Sequence, residues 1–442
     1  MNEQLKYLND ALKKESGIKY QLQLHKWQTD FFRFYQSQTN YNISKDLIAL
    51  SAELYKGKKP YSFSIDSPDQ AKIDSALKTA LEMIDHMPED PDFVDLEDDL
   101  TLAEPKDIPN NINEISLDKK TAILSRLAKI AGEHDFELFG TFICNFESDH
   151  LINSNHLDKI SMQSPIYLEV KAVHRKTQVT VLETFGGEDF GYFDEEQFSR
   201  NLLAKIKFAQ NSIVDVEPGE YEVILAPRCV AEFAQYLAYG MSAFAIDRRS
   251  SFFEGKLDSK VFPEIFSLTD DPNDPELIHC DYGDGGHIYR PLKLIDKGYF
   301  RAFMCNNYFH HKLGLPKNGN QGNCLSIAPG SSTLEKMISK VKKGLYISSL
   351  HYMNFINPKE TSLTGLTRDG TFLIEDGKIT KVVNNLRFTE KIARIFENVV
   401  ELEDTAKSIP FSGNYADFSV RTTKAPHARI ARFNISSSTR TI

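Results

Sequence analysis

Residues 344–388 read GLYISSLHYMNFINPKETSLTGLTRDGTFLIEDGKITKVVNNLRF, and this stretch decides the fold. Runs that alternate in polarity, 346–355 and then 371–374, flank two turn clusters, Asn357-Pro358 and Arg368-Asp369-Gly370. A third cluster, Glu375-Asp376-Gly377, separates Phe372-Leu373-Ile374 from Ile379. Asp-Gly between strand-like runs is a strong hairpin signal, because glycine tolerates the positive φ such turns require. The stretch therefore predicts a meander of antiparallel strands with turns at all three clusters.

Working outward, the chain mixes strands and helices without a regular strand–helix alternation. Residues 2–16 carry Leu5, Leu8 and Leu12 on one helical face. Residues 18–35 alternate strongly and predict a strand pair. Ser67-Pro68-Asp69 opens a helix to about His86, with Pro68 as its first residue and Pro88 beyond its end. Residues 87–113 carry a dense acidic run with interspersed prolines, which predicts an exposed connector. Helices follow at 119–134, 195–212 and 227–239, with strand material at 136–145, 166–183 and 221–225. Beyond Tyr239 the chain reads as short strands and turns, apart from 333–343. This pattern predicts an α+β fold. Its parts are an N-terminal helix and antiparallel-sheet region (1–87), a connector (88–114), a middle region (115–216) and a strand-rich C-terminal domain (217–442).

Composition removes several function classes. A chain of 442 residues implies two or three domains. The net charge is −10, whereas a sequence-independent nucleic-acid binder needs a basic surface to displace counterions from phosphate. The basic run Lys340-Val341-Lys342-Lys343 is too short to supply one, so no direct nucleic-acid contact is expected. Nothing approaches the ~20 apolar residues that span a bilayer, and the first 16 residues lack the apolar core of a signal peptide. A cytoplasmic protein is expected. The five cysteines, Cys144, Cys229, Cys280, Cys305 and Cys324, are widely spaced with no Cys-x-x-Cys, which predicts reduced thiols rather than disulfides or a thiolate metal site.

Several motifs in order carry a resemblance. The stretch from Leu363 to Ile379 followed by Asn385-Leu386-Arg387-Phe388 resembles the C-terminal domain of the TldD/TldE (PmbA) family. These proteins carry the label of DNA gyrase modulators and are regarded as metallopeptidase components. Ser250-Ser251-Phe252-Phe253-Glu254-Gly255-Lys256-Leu257, Leu268-Thr269-Asp270-Asp271-Pro272, Asp284-Gly285-Gly286, and Lys312-Leu313-Gly314 with Asn318-Gly319-Asn320 resemble further family motifs.

Catalytic members of that family, the TldD type, carry His-Glu-x-x-x-His on the helix equivalent to 227–239. Two histidines there coordinate zinc and the glutamate serves as base for the bound water. Counting back from the shared Ser-Phe stretch places Ala234, Gln235 and Tyr239 at those positions, and Ser412 at a third ligand, a cysteine. No histidine lies between Arg175 and Leu277, so a slip of the alignment does not restore the motif. The resemblance therefore implies the TldE (PmbA) branch, a subunit that binds no zinc of its own. A TldD-type catalytic subunit would supply the zinc. The substrate would be a peptide or unfolded polypeptide, and the chain alone would form a homodimer.

Two other readings stay open. The loop His279-Cys280-Asp281-Tyr282-Gly283-Asp284-Gly285-Gly286-His287 packs five potential ligands, and His279, Asp281, Asp284 and His287 are candidates for an atypical metal-dependent hydrolase. A regulatory protein acting on a gyrase or toxin system without proteolysis is the third. His310-His311 and His351 are weaker site candidates.

Overall fold

In the computed structural model, which describes residues 2–412 and 418–438, strand outweighs helix, 42 % to 25 %. Helices cluster at the ends and on the faces of sheets, so the fold is α+β. Among the described residues the strands form three sheets.

The first sheet has seven strands, paired antiparallel throughout. Its spine is a long hairpin. The strand Ile18–Tyr35 pairs with Gln38–Lys56 along its whole length, from Ile18↔Lys56 to Tyr35↔Gln38. The predicted strand pair within 18–35 is thus a single strand, and its partner lies beyond it. The turn falls at Gln36-Ser37, both at positive φ (50° and 61°). Neither is glycine, so the turn left no sequence signal. The strand Phe136–Asn153 pairs with the other side of Ile18–Tyr35. The stretches 1–87 and 115–216 therefore share one sheet and form one layer.

Helices Glu3–Leu12 and Gln70–Met83 cover one end of this sheet through Leu5, Leu8, Ile73 and Leu77, packed on Leu22 and Leu24. Pro68 precedes that second helix, and Asp69 is its N-cap, accepting from the Lys72 amide at 2.8 Å. Helices Leu117–Gly132 and Glu195–Ala209 cover the other end. Lys120, fully buried, donates to Asp30 at 2.5 Å and ties the first of these to the hairpin.

The acidic segment, with no helix or strand from Met87 to Asn110, is less exposed than its composition predicts. Glu97 is only 4 % exposed. Its carboxylate holds Lys317 at 3.0 Å, and its carbonyl accepts from Asn153 Nδ2 at 2.7 Å. Asp95 O accepts from Asn307, and Tyr282 Oη accepts from the Ala103 amide. Polar residues anchor the strap here, where an apolar count sees nothing.

In the C-terminal half, five strands close into a ring: Gly219–Leu225, Lys343–Asn357, Ser362–Glu375, Leu386–Lys391 and Ala428–Ser438. Closure pairs each of these strands on both sides over part of its length, while Lys343–Asn357 beyond Ile347 pairs with Ser362–Glu375 alone. Alternation sorts the faces. Val223, Leu225, Leu345, Ile347, Phe388 and Phe433 share a core with helix Pro227–Tyr239. Ile224, Tyr346, Phe372 and Ile374 face the other way, onto Leu202 and Ile206.

The turns at Pro358 and Asp376-Gly377 form as predicted. The cluster at Arg368-Asp369-Gly370 instead lies inside the strand Ser362–Glu375 as a bulge, with φ of 50° and 113° at Asp369 and Gly370. The partner strand is long enough to go on pairing, so the positive φ bends the strand rather than reversing it. A Cβ on Gly370 would sit 2.7 Å from Ser348 Oγ, so only glycine fits. The third sheet, with strands Leu325–Ile327, Val420–Ala425 and Lys407–Ser412 at one side, packs against helix Pro227–Tyr239. Among the described residues no helix is long and apolar enough to cross a membrane.

Candidate functional site

Helix Pro227–Tyr239 starts where the strand Gly219–Leu225 leaves the ring. The Ala226 amide donates to Ile347 O at 2.9 Å, and Pro227 follows at N1, where its missing N–H costs nothing. Cys229, Val230, Phe233, Ala234 and Leu237 are buried. Arg228, Glu232, Gln235, Tyr236 and Tyr239 recur at i, i+4, i+7, i+8 and i+11 and form the opposite stripe.

The positions implied by the resemblance are not all on that stripe. Ala234 is fully buried in the ring core. Gln235 donates through Nε2 to Thr423 Oγ1 at 3.1 Å, and Tyr239 Oη lies 3.2 Å from Ser250 Oγ. Residues five apart point about 140° apart around a regular helix, and this helix runs unbroken through the motif. Gln235 and Tyr239 thus share a cavity of about 280 Å³ from which Ala234 is turned away. Ser412 ends the strand Lys407–Ser412 without lining that cavity, its Oγ buried and without a hydrogen-bond partner among the described residues.

Around the cavity stand the amides of Gln235, Gln321 and Asn323, the hydroxyls of Tyr239, Ser242 and Thr423, the apolar Ala238, Met304 and Leu325, and the guanidinium of Arg421. Zinc takes thiolate, imidazole and carboxylate ligands. Among the described residues none of these lines the cavity, and a cation occupies its wall, so this donor set does not fit the metal.

Three charged groups here had escaped the sequence reading. Burial pushes the Glu232 carboxyl up to about 7, and the Arg228 charge offsets this only in part. Arg228 reaches Glu169 at 3.8 Å and Pro410 O at 3.3 Å, with its guanidinium 5.3 Å from the Phe411 ring centre. The stripe spacing on the helix would have found Arg228 and Glu232. Arg421 is brought in by a hairpin far along the chain and had no local signal.

The loop 279–287 borders the cavity through Cys280, whose Sγ lies 3.9 Å from Asn323 Nδ2, but its candidate ligands do not converge. His279 is buried and bonds Glu188 through Nδ1, with Asp281 at 3.5 Å from Nε2. Burial lowers its basicity, but the bonds to Asp281 and Glu188 outweigh this and push it up to about 9. An imidazolium at neutral pH has no lone pair for a metal. Asp281 also meets Lys106 at 3.4 Å. His287 faces Glu97 and Asp99 at 3.6 and 3.5 Å, and Asp284 accepts from Asn306. Among the described residues no group of three or more His, Cys, Asp or Glu is arranged to hold a metal ion. His310 bonds Leu315 O at 2.6 Å at a helix end. His351 lies beside the exposed Tyr352, and burial with the Arg368 charge lowers its pKa. The five cysteines are free thiols.

Residues 218–437 match the PmbA/TldA metallopeptidase C-terminal domain. The C-terminal half of the chain belongs to the PmbA/TldD family. The "Zinc metalloprotease TldD homolog" of Saccharolobus solfataricus is 28 % identical over 203 residues, 41 % of this chain and 45 % of that protein. A "Metalloprotease" of Methanothermobacter thermautotrophicus is 21 % identical over 225 residues, 48 % and 49 % of the two chains. The chain thus spans about half the length of these PmbA/TldD relatives. A "Metalloprotease PmbA homolog" of Haemophilus influenzae aligns more widely, 20 % identical over 80 % of this chain and 81 % of its own. In fold the chain is similar to TldE from Thermococcus kodakarensis, with a TM-score of 0.86 and 20 % identity over 98 % of this chain and 99 % of that one.

Proposed function

We propose that this chain is a TldE-like subunit of a TldD/TldE-type metallopeptidase, one that holds substrate and binds no zinc of its own. The observation that carries this reading is the cavity beside helix Pro227–Tyr239. Where the resemblance puts a zinc site, the wall offers neutral amides, hydroxyls and Arg421. Gln235 cannot serve as a carboxylate base, and Ala234 has no donor atom. The catalytic zinc, the base and the nucleophilic water belong to a TldD-type partner, and the complex acts on peptides or unfolded polypeptides in the cytoplasm. Extended peptides would add to free strand edges by backbone hydrogen bonds.

Assembly follows from the same reading. The hairpin joining the strands Lys343–Asn357 and Ser362–Glu375 exposes Tyr352 (72 %) and Ile356 (59 %), apolar surface that a partner would cover. The chain alone forms a two-fold homodimer, the usual solution for a self-complementary surface, and exchanges it for a heterodimer when the partner is present. The test is metal analysis and light scattering on the chain purified alone without chelator. The expected result is a dimer with far less than one zinc per chain and no cleavage of casein. One zinc per chain, lost together with activity on chelation, would refute the reading and favour an autonomous hydrolase.

A further inference from the structure

The cavity beside the motif helix is electrostatically the reverse of a metal site. A zinc site gathers electron-pair donors around an empty centre. Here the amides of Gln321 and Asn323 and one cation stand among hydroxyls and the apolar Ala238, Met304 and Leu325. Arg421 stands at its mouth on the strand Val420–Ala425, exposed, and makes no ion pair or hydrogen bond with another described residue. The contrast with its neighbour is sharp. Lys424, three residues along the same strand, is met by Asp274 at 3.1 Å and Glu276 at 2.8 Å. Among the described residues no carboxylate lines the cavity to do the same for Arg421.

A carboxylate beneath the cavity wall is fully engaged. Asp270 is completely buried and accepts from Tyr289 Oη, Asn320 Nδ2, the Gly322 amide and the Cys324 amide. These bonds fix the backbone of the loop that carries Gln321 and Asn323 before any ligand arrives. Both have donors to spare. Asn323 Nδ2 makes only long contacts, 3.4 Å to Gln321 Oε1 and 3.9 Å to Cys280 Sγ, too long to hold it. A guanidinium with no partner among the described residues, set across a small cavity from amide donors, matches a planar oxyanion, which arginine binds bidentately. Next to the cavity, Tyr239 and Tyr236 pack on Phe355 at 5.6 and 5.1 Å between ring centres, an aromatic wall for an adjoining side chain.

We propose that this cavity is a carboxylate-binding subsite, with Arg421 as the charge that recognises the C-terminal carboxylate of a bound peptide. An aspartate or glutamate side chain offers the same chemistry. The proposal rests on the reading of the chain as a peptide-holding subunit and adds what end of the peptide it holds.

The test uses the full-length chain and three fluorescein-labelled octapeptides of one aromatic-rich sequence. One has a free C-terminal acid, one is C-terminally amidated, and one is amidated with an internal glutamate. Fluorescence anisotropy reads binding to the native chain, to Arg421→Gln and to Arg421→Lys, each first shown by thermal melting to be folded. The free acid should bind at least tenfold more tightly than the amide. Arg421→Gln should erase that preference without changing binding of the amide, and Arg421→Lys should keep part of it. Equal binding of the amidated glutamate peptide and the free acid supports the subsite with side-chain carboxylates as its ligand. Peptides that bind without preference, or a preference that survives Arg421→Gln, overturn the subsite and leave the peptide-holding role standing. Failure of all three peptides to bind overturns both.

Discussion

Replacing Glu232 with glutamine should stabilise the protein in alkali and leave it unchanged in acid. Glu232 lies one turn after Arg228 on helix Pro227–Tyr239, and burial there holds its carboxyl near 7 instead of the ordinary 4.5. The native state prefers the neutral form, while the unfolded chain ionises near the ordinary value. The group is therefore neutral to stability below about pH 4.5, costs progressively more as pH rises to about 7, and carries its full penalty above that. At 1.36 kcal/mol per decade of proton affinity the penalty is about 3 kcal/mol, and its partial exposure lowers this toward 2 kcal/mol. Glutamine removes the ionisation at nearly constant shape. Arg228 keeps Glu169 at 3.8 Å, so the change leaves no cation without an anion. Urea unfolding at pH 8 and pH 4, followed by ellipticity, measures both arms. A gain of about 2–3 kcal/mol at pH 8 and none at pH 4 is expected. Equal stability at pH 8 would refute the buried-carboxyl argument. The same gain at both pH values would make it a packing effect.

Other consequences can be checked separately. Limited proteolysis should cut first within residues 98–107, the exposed span between the anchors at Glu97 and Asn111. First cuts at 88–97 would show that the Glu97–Lys317 anchor does not hold the strap. The triple change Ala234→His, Gln235→Glu, Tyr239→His should create neither zinc binding nor peptidase activity. Position 234 faces the fully packed ring core, where an imidazole overpacks by about 1–3 kcal/mol. Zinc bound by that variant at one per chain would contradict the geometry given for the helix.

Much of the fold was legible because periodicity carries it. The helix at 227–239, the strand after Gly219 and the turn at Asp376-Gly377 follow from apolar spacing and turn chemistry. What escaped was set by distant partners. The long hairpin turns at Gln36-Ser37 without glycine, held by an 18-residue register. Asp369-Gly370 reads as a turn and folds as a bulge because Lys343–Asn357 continues alongside it. The acidic strap looks free in composition and is pinned by Glu97 to Lys317, 220 residues away. At the site, motif order names Ala234, Gln235 and Tyr239 together, whereas the turning of Ala234 into the core and the place of Arg421 at the cavity required the helix phase and the hairpin.

The central claim is that this chain completes a metallopeptidase whose zinc lies in another subunit. The direct measurement is peptidase activity on unfolded casein for the chain alone, for a TldD-type chain with an intact His-Glu-x-x-x-His, and for the two co-expressed. The account predicts a heterodimer by light scattering, one zinc per pair, and activity that needs both chains and is lost on chelation. It also predicts that alanine in place of the partner's motif glutamate abolishes activity. Activity in this chain alone, or activity of the pair that survives alanine at the partner's motif glutamate, would contradict it.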